Sequence, residues 1–208
     1  GRLPLPAVPR DHANRAASRF PGPPRDSRTR SRHPAHVLHR FEIRLADVDR
    51  GVYTDLDLRV ARHPSEDNPY LLTRVLAYAL EFEEDLAFSK GLSEADEPAI
   101  WKKTGDGRLL TWIEVGSPAP DRLHRAAKAS PRVAVYGWRN LVALLAELRE
   151  RNVHKVDAIE LYALAPEFLD AVAGTLDRMN RWELAVTGGS LYLGAGGQQH
   201  EGAVTRVS

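Results

Sequence analysis

Two stretches near the start of the patterned chain alternate apolar and polar residues with a period of two. Phe41, Ile43 and Leu45 alternate with Glu42 and Arg44, and Leu56, Leu58 and Val60 alternate with Asp57 and Arg59. Between them lies Asp47-Val48-Asp49-Arg50-Gly51, a turn-forming run. This pattern predicts a β-hairpin with one buried face. The period then changes. Leu72, Val75, Leu76, Ala79 and Leu80 give the stripe of an amphipathic helix, capped by Ser65 or Asn68 with Pro69 in its first turn. Short strands are predicted at Leu86 to Phe88 and about Ala99 to Lys103. The turn Thr104-Gly105-Asp106-Gly107 leads into a third, Leu109 to Val115.

The second half alternates helices and strands. Pro118 to Lys128 reads as a helix and Val133 to Tyr136 as a buried strand. Leu141, Leu144, Leu145 and Leu148 mark another helix, Val156 to Ala163 a strand, and Pro166 to Ala173 a short helix. Trp182, Leu184 and Val186 alternate, Gly188-Gly189 turns the chain, and Leu191 to Leu193 returns. The run Gly194-Ala195-Gly196-Gly197 lacks the lysine and the strand-to-helix setting of a phosphate loop, so it reads as turn and loop. No internal repeat is visible.

Composition and charge refine this picture. A chain of 208 residues with 43% hydrophobic residues can bury one ordinary core. Its apolar runs are far too short for a membrane helix. The lack of cysteine removes disulfides, thiolate metal sites and a cysteine nucleophile, and suits the cytoplasm. The net charge of +1 conceals an asymmetry: residues 1–35 carry +6, which leaves −5 on the other 173. Residues 1–35 are rich in arginine and proline and are expected to be disordered. Because the chain begins with Gly1, this segment is expected to be translated upstream sequence or an artefact. A basic nucleic-acid-binding arm and a transit peptide are the alternatives. The acidic remainder argues against strong duplex binding, which comes mainly from neutralised phosphates. A protein partner is favoured over duplex DNA, and no membrane partner is expected.

Candidate chemistry concentrates in two acidic segments, Ala95-Asp96-Glu97-Pro98 and Trp112-Ile113-Glu114-Val115-Gly116. In a twisted hairpin Asp96 and Glu114 can come to one end of the sheet, with Glu66 at the start of the first helix as a third acid. Two or three such oxygens suit Mg²⁺, which binds few carboxylates and keeps several waters. Acids are also common at strand ends, so the spacing alone is a weak signal. His36 and His39 would face opposite ways on a strand and read as a surface and core pair. His63 is expected to fix the start of the helix after Pro64. Trp101, Trp112 and Trp182 read as core or half-buried, and Glu81-Phe82-Glu83-Glu84-Asp85 as a solvated helix end. No Ser-His-Asp arrangement is present.

Several stretches, in order, resemble the YaeQ family: Leu45-Ala46-Asp47-Val48-Asp49-Arg50, Ala61-Arg62-His63-Pro64-Ser65-Glu66, Gly91-Leu92 followed by Asp96-Glu97-Pro98, and Trp112-Ile113-Glu114-Val115-Gly116-Ser117-Pro118. Arg122-Leu123 then heads a basic helix before Val133-Ala134-Val135-Tyr136. The resemblance runs from about His36 to Thr205. It implies a PD-(D/E)XK, restriction-endonuclease-like scaffold. The fold expected is therefore an α/β (α+β) domain over residues 36–208, with a mixed β-sheet flanked by helices and an added N-terminal hairpin. It further implies that Asp96 and Glu114 take the two motif-acid positions, with Glu97 and Glu66 as further metal-site carboxylates.

One departure counts against catalysis. The motif lysine should follow two residues after the second acid, where this chain has Gly116. In YaeQ proteins a lysine often stands at the position of Arg125, and Lys128 lies one turn later on the same helix face. Arginine clamps phosphate but stays protonated. A catalytic set would thus be Glu114, Lys128 and Arg125, with Mg²⁺ on Asp96, Glu97, Glu114 and Glu66. The expectation that follows is an interaction or regulatory protein on a nuclease-like scaffold. A Mg²⁺-dependent nuclease or phosphodiesterase is the alternative.

Overall fold

The computed structural model describes residues 37–89 and 96–208. The expectations for residues 1–35, His36 and Gly91-Leu92 lie outside these.

The hairpin forms from β1 (Val37–Asp47) and β2 (Val52–Arg62), paired antiparallel with Phe41 opposite Leu58 and Ile43 opposite Leu56. The alternating apolar residues share one face and are buried. Helix α1 (Asn68–Leu80) follows. Its cap is Asp67 rather than Ser65 or Asn68: the Asp67 carboxylate accepts the Tyr70 N–H at 2.8 Å. Asn68 instead accepts from Arg62, and Ser65 bonds His63, which does fix the chain before the helix. Three antiparallel strands come next, β3 (Leu86–Phe88), β4 (Ile100–Lys103) and β5 (Leu109–Val115).

Helices α2 (Pro120–Ala129) and α3 (Leu141–Glu150) carry the chain from β5 to β6 (Arg132–Gly137) and from β6 to β7 (Ile159–Leu164). These three strands are parallel, as the helical crossovers require. A single 3₁₀ turn, Val156–Ala158, replaces the start expected for β7. Helix α4 (Pro166–Ala173) leads to β8 (Met179–Thr187), which pairs parallel with β1, and β9 (Ser190–Ala195) returns from it. The chain does not then trail into a loop. Gly196 and Gly197 turn it at positive φ into β10 (Gln198–Arg206), which bonds β9 on one side and β7 on the other.

Strand β10 therefore joins two half-sheets into one of ten strands, ordered β2-β1-β8-β9-β10-β7-β6-β5-β4-β3. The result among the described residues is a mixed α+β fold, with a nearly barrel-shaped sheet and four α-helices. One sheet face packs on α1 and α4, with Phe41, Ile113, Val115, Leu169, Trp182 and Leu193 in a common core. The other face packs on α2 and α3, with Trp112, Leu123, Val135, Leu148 and Leu161.

The curl of the sheet changes the environment of α1. Its sequence predicts one apolar stripe, yet every residue from Leu71 to Ala77 is buried. Thr73 and Arg74 lie off the stripe and are enclosed with the rest. A guanidinium taken out of water needs a counter-charge. Glu66 supplies it: Arg74 Nη2 donates to Glu66 Oε2 at 3.1 Å and to the Ala61 carbonyl at 2.8 Å. Both side chains are at most 2% exposed.

Glu81 also departs from expectation. It is not a solvated helix end. Arg132 on β6 forks onto Glu81 at 2.8 and 2.9 Å and onto Glu160 of β7 at 2.6 and 3.1 Å. Tyr136 and Tyr162 stack 4.8 Å apart and donate their hydroxyls to Glu81 and Glu160. This network ties the end of α1 to β6 and β7.

Candidate functional site

A cleft of about 660 Å³ lies at the C-terminal ends of β5 and β6, beside the start of α1. Ligands of parallel-sheet proteins gather at this end of the strands, where loops leave the sheet and helix N–H groups converge. Its floor and walls include Glu66, Tyr70, Glu97, Glu114, Arg122 and Arg139.

Strand alternation decides what Glu114 faces. Ile113 and Val115 point into the core around α1, so Glu114 and Trp112 point towards α2. Arg122, in the first turn of α2, donates from Nε to Glu114 Oε1 at 2.7 Å, and the Trp112 indole N–H donates to the same oxygen at 2.6 Å. Arg122 Nη2 donates to the Glu97 carbonyl at 2.5 Å. One guanidinium thus ties the second acidic segment to the first. Burial pushes the Glu114 carboxyl above its ordinary range, and the charge of Arg122 and the two hydrogen bonds pull part of the way back. Burial likewise lifts the Tyr70 phenol, to about 12, so Tyr70 meets the cleft as a neutral hydroxyl.

Of the residues singled out in the sequence, Glu66, Glu97 and Glu114 line this one cleft. The Glu66 carboxylate is buried and accepts from Arg74 at 3.1 Å. Asp96 is exposed and does not line the cleft; nor do Arg125 and Lys128, which sit on the solvent side of α2. Among the described residues, no three His, Cys, Asp or Glu side chains come close enough together to hold a metal ion. With Glu114 held by an arginine and Glu66 by another, the residues as arranged do not make a cation cradle. Trp112 and Trp182 are buried and Trp101 half-buried under the Lys103 ammonium, so none is presented for base stacking.

The Gly116 position has a backbone reason. Its φ is +88°, a region that L side chains rarely adopt, and its N–H donates to the Tyr136 carbonyl at 2.8 Å. A lysine two residues after Glu114 would have to take this strained conformation.

The sequence profile of the YaeQ protein family matches residues 35–204. The chain belongs to the YaeQ family. It is 27% identical over 158 residues to the uncharacterized protein YaeQ of Escherichia coli (strain K12), covering 76% of this chain and 87% of that one. The Salmonella typhi YaeQ is 33% identical over 107 residues, 51% of this chain and 59% of that protein. The crystal structure of YaeQ from Pseudomonas syringae superposes with a TM-score of 0.77 at 32% identity, over 83% of this chain and 96% of that one. YaeQ from Xanthomonas axonopodis pv. citri superposes at 0.76 with 26% identity, over 83% and 98%. The fold is thus shared with these YaeQ structures over nearly the whole of those chains.

Arg122 was legible only as the head of a basic helix, and Arg139 was not singled out. Their spacing to Glu114 carries no local signature. A signal did exist for Arg122: an acid at a strand end, followed eight residues later by an arginine in the first turn of a helix, is placed for an ion pair across the strand-to-helix turn.

Proposed function

We propose that this chain is a non-catalytic interaction protein on a nuclease-like scaffold, and that its cleft at the ends of β5 and β6 docks a carboxylate of a partner protein. The order α1, β3, β4, β5, α2, β6 is the order expected of a restriction-endonuclease-like core and supports the scaffold reading. The observation that carries the non-catalytic reading is the capture of Glu114 by Arg122 and Trp112. A carboxylate already holding two donors in a buried site is poorly disposed to bind a metal or to take a proton from water. Arg139 supports the docking role. It lines the cleft, it is exposed, and no carboxylate among the described residues pairs with it. The neutral Tyr70 hydroxyl and Ser117 lie in the same cleft as further donors.

The test has two parts. Calorimetric titration with Mg²⁺ and Mn²⁺ is expected to give the same heats for the wild type and Glu114→Ala, and neither protein should cleave a phosphodiester such as bis(p-nitrophenyl) phosphate. Metal-dependent cleavage that disappears in Glu114→Ala would overturn the reading. For the docking role, a glutamate-rich peptide should shift the backbone amide resonances of Ser117 and Arg139, and should not in Arg139→Ala. Unchanged resonances in the wild type would remove the cleft as the docking place.

A second reading, a Mg²⁺-dependent nuclease or phosphodiesterase, draws support from one observation. Glu66, Glu97 and Glu114 come from three separate segments and line a single cleft. Asp96 beside Glu97, and Arg125 and Lys128 on α2, would complete its residue set.

A further inference from the structure

Arg122 does more than neutralise Glu114. Its Nε and Nη2 form one edge of the planar guanidinium, and hydrogen bonds from that edge run side by side. The acceptors on that edge are a carboxylate oxygen of Glu114, at 2.7 Å, and the main-chain oxygen of Glu97, at 2.5 Å. Both are hard oxygen donors of the kind that bind Mg²⁺ and Mn²⁺. The Glu97 side chain lines the same cleft. The Arg122 side chain is 22% exposed, so the group between these oxygens can be reached from solvent, while Glu114 at 5% cannot turn away into water.

We infer that the Arg122 guanidinium stands as a resident cation in this cleft, and that its removal turns Glu114 and the Glu97 segment into a divalent-cation site. This rests on the non-catalytic reading of the cleft and supplies its physical cause. The chain is kept free of metal by a side chain that occupies the cation's place, not by loss of the acids. Charge balance makes the direction clear. Without Arg122 the ionised Glu114 carboxylate keeps one neutral donor, Trp112, and a divalent cation, competing with protons from solvent, supplies more than the single charge lost.

The experiment is Mn²⁺ binding followed by the loss of the free-ion electron paramagnetic resonance signal, with Mn²⁺-induced thermal shift as a second readout. The proteins are the wild type, Arg122→Met, and Arg122→Met with Glu114→Gln. Methionine keeps much of the apolar stem against Trp112 and removes the charge. Arg122→Ala serves as the second variant, and circular dichroism checks the fold of each. Arg122→Met should bind Mn²⁺ at least about tenfold more tightly than the wild type. It should melt at a higher temperature with Mn²⁺ present, and lose both effects in the double variant. If both folded Arg122 variants bind no better than the wild type, the inference is overturned and the non-catalytic reading stands. If the wild type itself binds Mn²⁺ saturably through Glu114, both fall.

Discussion

Glu66 offers a sharp test, because a metal-ligand role and a core role predict opposite behaviour on substitution. In the structure it is the counter-charge of Arg74 inside the curled sheet, with both side chains at most 2% exposed. At 3.1 Å and an effective dielectric constant of about 20, two unit charges attract by about 5 kcal/mol. Removing one partner of a buried pair costs about 3–5 kcal/mol, because the other charge stays buried. Glu66→Ala should therefore consume a large part of the ~5–15 kcal/mol that holds a domain together. For a domain of this size that is a fall of about 6–20 °C in melting temperature. Arg74→Met should cost a similar amount. The pair Glu66→Leu with Arg74→Met should recover most of the loss, since replacing both charges by apolar groups is often near neutral. Urea denaturation of Glu66→Leu, Arg74→Met and the pair forms a double-mutant cycle. Near-additive losses, or a Glu66→Ala cost below about 1 kcal/mol, would refute the core ion pair.

Gly116→Lys should not create phosphodiester cleavage and should cost about 1–2 kcal/mol from the positive φ, read by chemical denaturation. Gly202→Ala should destabilise by about 1–3 kcal/mol, because its new methyl would meet the Phe168 ring at 2.5 Å; a neutral result would contradict the packing of α4 on β10. The Glu114 carboxyl, raised by burial, holds its proton to higher pH in the folded state than in the unfolded chain. Its contribution to stability therefore falls as pH rises from the unfolded value near 4.5 through the folded one. Denaturation of the wild type and Glu114→Gln between pH 4 and 7 should show the glutamine variant gaining relative stability with pH, and an opposite slope would contradict it. Arg125→Ala and Lys128→Ala, on the solvent side of α2, should each change stability by less than about 0.5 kcal/mol.

The elements with a clean period were legible from the residues. The hairpin of Phe41 to Val60 and helix α1 appear where alternation and the helical stripe put them, and β5 follows the turn at Thr104 to Gly107; in the hairpin one buried face imposes the period directly. Strand β10 was not legible. Gln198-Gln199-His200-Glu201 offers no apolar alternation, and the segment is a strand because β7 and β9 both supply hydrogen-bond partners. The same long-range closure explains Arg74. Nothing local tells a charged residue on a helix that a sheet will wrap its far side. Glu81 was misread for a similar reason, since Arg132 lies fifty-one residues away. The candidate acids were found by motif, and three of them do line one cleft. What each carboxylate faces depends on which side of β5 it leaves and which arginine waits there, and spacing alone does not carry that.

The most direct measurement is a crystal structure of the wild-type chain grown in millimolar MnCl₂, with data collected to show the anomalous signal of manganese. The expected result is Arg122 Nε on Glu114 Oε1, Nη2 on the Glu97 carbonyl, and no anomalous peak within coordination distance of Glu114. A manganese peak bound by Glu114 and Glu97, with Arg122 swung aside, would contradict it.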